Sequence, residues 1–386
     1  MEQRRIAGKS HWYHETQSSA SRTNALPLVP EAATVSDPFL LDLDLADKPK
    51  LALEGIASPA RKIYALLFPP RVSLSRLRTF SAYDRLSTAL TAAQVFGVQR
   101  LCNHYAARLA PLSGPDSTRE SNYRLAQITQ HARQLAASPS VIDSRARQQL
   151  EDVGLTFYDL VVINQIIGFV AFQARVIAVL QAMSGQPVRI IPGMERQQEA
   201  DAALFSPGET KWLPGIDVAD LRLASTAQMD TLARWQPLAE LRRLAPLLAH
   251  EHLLLNEFGA LCQHIAQRTP NKRLSGLVAA YTARINGSSS CFSWHLQQNT
   301  LDMALVEALR TGSQALNRTL AEMGKERALM QAVQLLTCAP DRFSPAHFSQ
   351  LLEQGVSRQA AIDLLISCAL NGWLNRLHIA LGKCPS

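Results

Sequence analysis

The sequence predicts an all-helical protein made of two tandem, related helical domains, and three observations point there. From about Phe80 onward, apolar residues such as Leu86, Leu90, Ala93 and Gly97 recur at spacings of three and four, the period of an amphipathic helix. The period-two alternation of half-buried strands is nearly absent. The chain also resembles itself. Leu135, Pro139, Leu150, Gly154, Arg175 and Leu180 are matched by Leu336, Pro340, Leu351, Gly355, Arg376 and Leu381, each 201 residues further on and without a gap.

Residues 1–36 are polar, rich in Ser, Thr and Arg, and aperiodic, which predicts a flexible tail. Within it, His11-Trp12-Tyr13-His14 is an aromatic cluster suited to docking on a groove of its own or a neighbouring subunit. The first helical domain is expected over residues 37–186. It includes a helix from near Arg85 that closes at Gly97, matched 190 residues on by a helix from near Ser275 to Gly287. The change of offset from 190 to 201 implies about 11 additional residues between Leu296 and Met330.

Asp143 and Ser344 are equivalent helix N-caps, where a side-chain oxygen accepts from a free backbone N–H. Pro345 suits the first helical turn, where its missing N–H costs nothing. Gly154 and Gly355 end these helices, because glycine enters the left-handed region cheaply. A long, mostly apolar helix follows in each half, Leu160 to Met183 and Ala361 to Leu381, and apolarity on nearly all sides predicts packing on most faces. Residues 187–225, with Ile190-Ile191-Pro192-Gly193 and Ser206-Pro207-Gly208, read as a linker, and 226–386 as the second domain.

Composition narrows the class. Hydrophobic residues make up 47% of the 386, with mean hydropathy −0.04, which fits a globular chain. The longest apolar stretch, Val161 to Met183, is interrupted by Asn164, Gln165, Gln173, Arg175 and Gln181, so it reads as a buried helix and no membrane is expected. Charged residues are sparse at 18%, implying surface buried between domains or subunits. The net charge is +7, yet no dense basic block interleaved with aromatics appears, so no nucleic-acid partner is expected. The six cysteines form no CxxC pair, disulfide framework or zinc spacing, and most read as buried thiols in a reducing compartment. No apolar signal follows Arg4 and Arg5, so a cytoplasmic location is expected.

One stretch looks chemical. Asn286-Gly287 interrupts a helix whose apolar face includes Leu274, Leu277, Val278, Tyr281 and Ile285, and a new helix can start at the N-cap Ser288 and run through Leu296. Cys291 then falls inside the first turn, where free N–H groups and the helix dipole are expected to lower a thiol pKa below about 8.5. His295 lies one turn up the same face, placed to accept the thiol proton or stabilise a thiolate. On spacing alone, Cys at i with His at i+4 arises often by chance, and a buried thiol beside a packed histidine is its usual explanation.

The stretch Arg284-Ile285-Asn286-Gly287-Ser288-Ser289-Ser290-Cys291-Phe292-Ser293-Trp294-His295 resembles the signature of the carboxymuconolactone decarboxylase and alkylhydroperoxidase D-like superfamily. Peroxidase members carry a helix ending in Asn-Gly and then Cys-x-x-Cys-x-x-x-His. The downstream capped helix and the long apolar helix with Asn375-Arg376 add to the resemblance, which covers about residues 75–185 and 235–383. It implies an all-α fold assembling into homo-oligomers, trimers or higher; the absence of a zinc spacing and of a phosphate loop separately leads to the expectation of no cofactor and no metal. The resemblance also implies an antioxidant, peroxiredoxin-type activity in which a thiolate attacks a hydroperoxide and a second thiol resolves the sulfenic acid.

Under the resemblance, Cys291 takes the peroxide-attacking position and His295 that of the motif histidine. Ser288 stands at the resolving-cysteine position, so a Cys-x-x-Cys disulfide is excluded and an external thiol reductant is implied. Ser290 replaces a further histidine of some members. The relay glutamate would fall near Gly276, and the nearest upstream carboxylate is Glu257, on another helix. In the first domain Val98 and Leu101 take the cysteine positions. Cys102 and His104 lie about 200° apart on a helix, so that copy reads as structural, with Cys102 a buried thiol.

Other candidates carry less. His250-Glu251-His252 is not His-Glu-x-x-His, since residue 254 is Leu, and reads as a solvated helix face. Ser288-Ser289-Ser290 lacks a strand-turn-helix elbow, and no Gly-rich phosphate loop precedes a helix. The leading expectation is therefore a thiol-dependent peroxidase. The alternatives are a scaffold of the same fold and a cysteine-independent, lactone decarboxylase-like enzyme.

Overall fold

The structure, a computed structural model, describes residues 30–46, 51–188, 195–208, 211–269 and 271–384. His11-Trp12-Tyr13-His14 and Ile190-Ile191-Pro192-Gly193 lie outside the described residues. The fold is all-α. The first half carries α1 (Glu54–Leu67), α2 (Ala82–Phe96), α3 (Gln99–Leu109), α4 (Arg119–Ala137), α5 (Ser144–Asp152) and α6 (Phe157–Met183). The second carries α7 (Thr226–Trp235), α8 (Ala245–Leu248), α9 (His252–Arg268), α10 (Lys272–Asn286), α11 (Ser289–Gln298) and α12 (Met303–Thr311). It continues with α13 (Ser313–Thr319), α14 (Gly324–Cys338), α15 (Pro345–Glu353) and α16 (Arg358–Leu381). A two-residue strand, β1 (Leu213–Pro214), pairs antiparallel with β2 (Gly382–Lys383).

Local chemistry explains where these helices begin and end. Helix α2 starts a turn before Arg85 because Ser81 and Asp84 close a reciprocal capping box, and α10 starts early because the Asn271 side chain accepts from Leu274 N–H. Gly97 and Gly287 close α2 and α10 with left-handed φ of 69° and 81°. Asp143 caps α5 as expected, accepting from Arg145 and Ala146 N–H. Ser344 differs: its Oγ lies 2.7 Å from His347 Nδ1, which also accepts from Ser344 N–H, while Pro345 fills the first turn. Helices α12 and α13 occupy the stretch between α11 and α14, where the first half has only residues 110–118.

The core runs through both halves as one apolar cluster, with α6 and α16 packed along each other at its centre. Trp373 is fully buried and its indole N–H donates to Gln165 at 2.9 Å. Gly168 makes room for that ring, since any Cβ there would overlap it. Helix α6 is long and apolar enough to cross a membrane, but 94% of its most apolar window is buried inside the protein.

The halves exchange like contacts across this core. Arg376 Nη2 on α16 donates to Ala136 O at the end of α4, 2.9 Å, and Arg175 Nη2 on α6 donates to Thr337 O in the last turn of α14, 2.7 Å. Each guanidinium also reaches back one turn on its own helix, to Gly372 O and Ala171 O. Gly97 abuts Asp341, and Gly287 abuts Ser140. Both buried arginines lie over the Phe96 ring without a carboxylate, so backbone carbonyls carry their charge and burial lowers both pKa values, that of Arg175 to about 10.

Candidate active site

Helix α11 follows directly on Gly287. The turn closes through Ser288 N–H to Ala283 O at 3.0 Å, and Phe292 N–H then bonds Ser288 O at 2.9 Å. This sets Cys291 in the first turn, as the spacing predicts. Ser288 is the N-cap by position, but its side chain makes no capping bond and is buried. Cys291 and His295 open on a cavity of about 240 Å³ between α11, α16 and the segment after α7. Leu374, Asn375 and His378 of α16 form the facing wall, Trp294 and Gln298 the side, and Glu240, Arg242 and Arg243 the rim. The two arginines are exposed, whereas Cys291, His295, Asn375 and His378 are all buried.

The thiol does not rest as a thiolate. Burial pushes the Cys291 pKa up to about 11; Ser288 and Asn375 pull the other way and do not offset it. The expectation of a lowered pKa is thus corrected. Three residues into a helix, the dipole is outweighed by loss of solvent, because an unpaired buried anion costs more than partial charges return. Burial likewise lowers His295 to about 4 and His378 to about 3, so both imidazoles are neutral at physiological pH. His378 is set by its neighbour: Trp212 packs edge-on against its ring and donates its indole N–H to His378 O at 2.9 Å.

A chain of side-chain hydrogen bonds fixes the direction of Asn375. Arg376 can only donate, and its Nη2 donates to Gln197 Oε1 at 3.3 Å. Gln197 must then donate through Nε2, which it does to Asn286 Oδ1 at 2.9 Å. Asn286 Nδ2 donates in turn to Asn375 Oδ1 at 3.1 Å. The remaining group, Asn375 Nδ2, is buried beside Cys291, whose thiol pKa Asn375 draws down, and finds no nitrogen or oxygen partner. His378 Nδ1 is buried without one as well. Asn375 and His378 both line the cavity, and each buries one polar atom without a nitrogen or oxygen partner.

The structure brings Cys291 and His295 together and leaves other sequence candidates elsewhere. Glu257 pairs with Lys62 at 3.4 Å, and a Cβ at Gly276 would overlap Asn299, so no carboxylate reaches the thiol from those positions. His250-Glu251-His252 is not a solvated face. His250 is buried against Phe157 and Tyr158 with Nε2 on Asp217 O, and Glu251 pairs with Arg78. No group of His, Cys, Asp and Glu able to hold a metal occurs among the described residues. Cys102 is half-buried, not fully buried, and His104 is held between Tyr64 OH and Ala32 O.

Sequence reasoning missed Gln197, Arg243 and His378. A signal existed for the last: Asn371, Asn375 and His378 sit at i, i+4 and i+7, a polar stripe on an otherwise apolar helix. Gln197 lies in the expected linker, which is stitched to the second half through Gln197 N–H to Cys338 O and Ala200 N–H to Ile285 O. In comparison with known proteins, the chain matches no protein-family model and no curated protein.

Proposed function

We propose that the chain is a thiol-dependent hydroperoxide reductase whose reacting sulfur is Cys291. The observation that carries this reading is a buried thiol on a cavity wall with a neutral imidazole one turn away and the inward-facing Asn375 amide beside it. The resemblance of residues 284–295 to alkylhydroperoxidase signatures supports it, together with the likeness in sequence between the two halves.

In this mechanism His295 takes the Cys291 proton as the sulfur attacks the terminal oxygen of ROOH. The O–O bond breaks, the alkoxide receives that proton to leave as ROH, and Cys291 becomes a sulfenic acid. Asn375 Nδ2 donates to the sulfur or to the departing oxygen as negative charge develops. An external thiol returns Cys291 to its starting state.

With the thiol at about pKa 11, roughly one molecule in ten thousand holds a thiolate at pH 7. That observation favours one second reading, in which the same cavity serves cysteine-independent proton transfer through His295 and His378, or binding without chemistry. The deciding experiment titrates Cys291 with a thiol probe from pH 4 to 10 against Cys291→Ser, and follows sulfenic acid with hydrogen peroxide and an organic hydroperoxide. Stoichiometric sulfenic acid at Cys291 supports the reductase. No peroxide reaction at any pH where the protein stays folded leaves the second reading.

A further inference from the structure

We infer that Cys384 is the resolving thiol for Cys291, so that the two cysteines form a reversible disulfide pair joining the first turn of α11 to the segment after β2. The inference rests on the reductase reading and replaces its external resolver with one inside the chain. Cys384 follows β2 directly and is exposed. Its sulfur lies 3.8 Å from Ser289 Oγ, and Ser289 is two residues before Cys291, with Cα atoms about 5.4 Å apart in helical geometry. The proximity is mutual, since negative charge on Cys384 raises the Cys291 thiol.

The chain leading to Cys384 is held in place. Gly215 N–H donates to Leu381 O at 2.8 Å, and Arg147 Nη1 donates to Gly382 O at 2.9 Å and Ala380 O at 3.2 Å. These bonds end at Gly382 and leave the exposed Cys384 tethered beside α11. Ser289 and Cys291 project about 200° apart. Closing the bond therefore takes Cys384 around the helix end, with loss of its contact to Ser289 Oγ and adjustment of the short pairing of β1 with β2. Cys368, by contrast, is buried with its sulfur between Thr282 and Thr337 hydroxyls, each at 3.4 Å.

The chemistry balances. Peroxide oxidises Cys291-SH to Cys291-SOH and is reduced to ROH; Cys384 sulfur then attacks the Cys291 sulfur, the S–O bond breaks, and water leaves with the thiol proton. Two equivalents of external thiol reduce the exposed end of the disulfide. Ser288 had removed the expected partner from the motif, and Cys384 supplies one from the far end of the chain.

The test compares the full chain with Cys384→Ser, an exposed substitution, under stoichiometric peroxide and separately under diamide, which joins neighbouring thiols without peroxide chemistry. Peptide mass spectrometry after alkylation is expected to find a Cys291–Cys384 disulfide with both oxidants. Dimedone-trapped Cys291 sulfenic acid should be at least about tenfold higher in Cys384→Ser than in the native chain. A disulfide with diamide but not with peroxide upholds the pair and overturns the reductase reading. Sulfenic acid at Cys291 with no disulfide under either oxidant upholds the reductase and overturns the pair.

Discussion

The cavity at Cys291 and the equivalent place in the first half share a frame and differ in what fills it. At the offsets of 190 and 201 residues, Asn286, Cys291 and His295 correspond to Phe96, Leu101 and Tyr105, and Asn371, Asn375 and His378 to Val170, Ala174 and Ile177. All six first-half residues are at most 3% exposed. Where the second half has a polar wall, the first has a packed apolar core, and Tyr105 spends its hydroxyl on Gln173 at 2.7 Å. Both halves keep the glycine turn and the buried arginine. The contrast separates two parts of one arrangement: turn and arginine hold the helices together, and the six polar positions gather at and behind the cavity beside Cys291. Polar groups of the second part stay buried at a cost, which argues for a use.

The largest expected effect breaks the comparison at its centre. Cys291→Ser should take peroxide consumption to the uncatalysed rate, whereas Leu101→Cys should confer none, because no amide relay reaches that position; a stopped-flow peroxide assay reads both. Next is pH. With Cys291 near 11 and His295 near 4, transfer of the thiol proton to the neutral imidazole should give a peroxide rate constant that is level from about pH 6 to 9, and a rate climbing about tenfold per unit would show that a free thiolate reacts without His295. The Cys291 shift has a stability consequence. Its folded pKa lies above the unfolded value near 8.5, so this contribution is present below that pH and is lost as pH rises through about 11.

A smaller effect tests what the halves share. Arg376→Met strands two backbone carbonyls, those of Leu135 and Ala136, together with Gln197 Oε1, and should cost about 3 kcal/mol in urea unfolding. Arg175→Met strands one, that of Thr337, and should cost about 1 kcal/mol. Only the first should also slow Cys291, since only Arg376 orients Gln197, Asn286 and Asn375. The smallest effect is expected from Cys102→Ser, with no change in peroxide rate and about 0.5 kcal/mol or less in stability.

The legibility of these features follows their range. Helix ends were readable because caps are local: Asp143, Gly154, Gly97 and Gly287 each act within a few residues. Cys291 and His295 were readable because one turn separates them. The thiol's pKa was not, because it depends on α16 and residues 239–243 closing over α11, which no window of sequence contains. Gln197 was invisible for a related reason. An irregular segment gives no period, and its part in the relay comes from packing between two halves.

Arg376 has one more consequence. What the second half draws from the first, at the far end of the relay, is the pair of carbonyl oxygens of Leu135 and Ala136. Any amino acid supplies a carbonyl. The first half can therefore lose every reactive side chain and still serve as the template that aims its neighbour's amide, provided α4 ends where it does. Constraint acting through main-chain atoms leaves little trace in residue identity, so what the first half contributes to the placing of Asn375 depends on where α4 ends and not on its side chains.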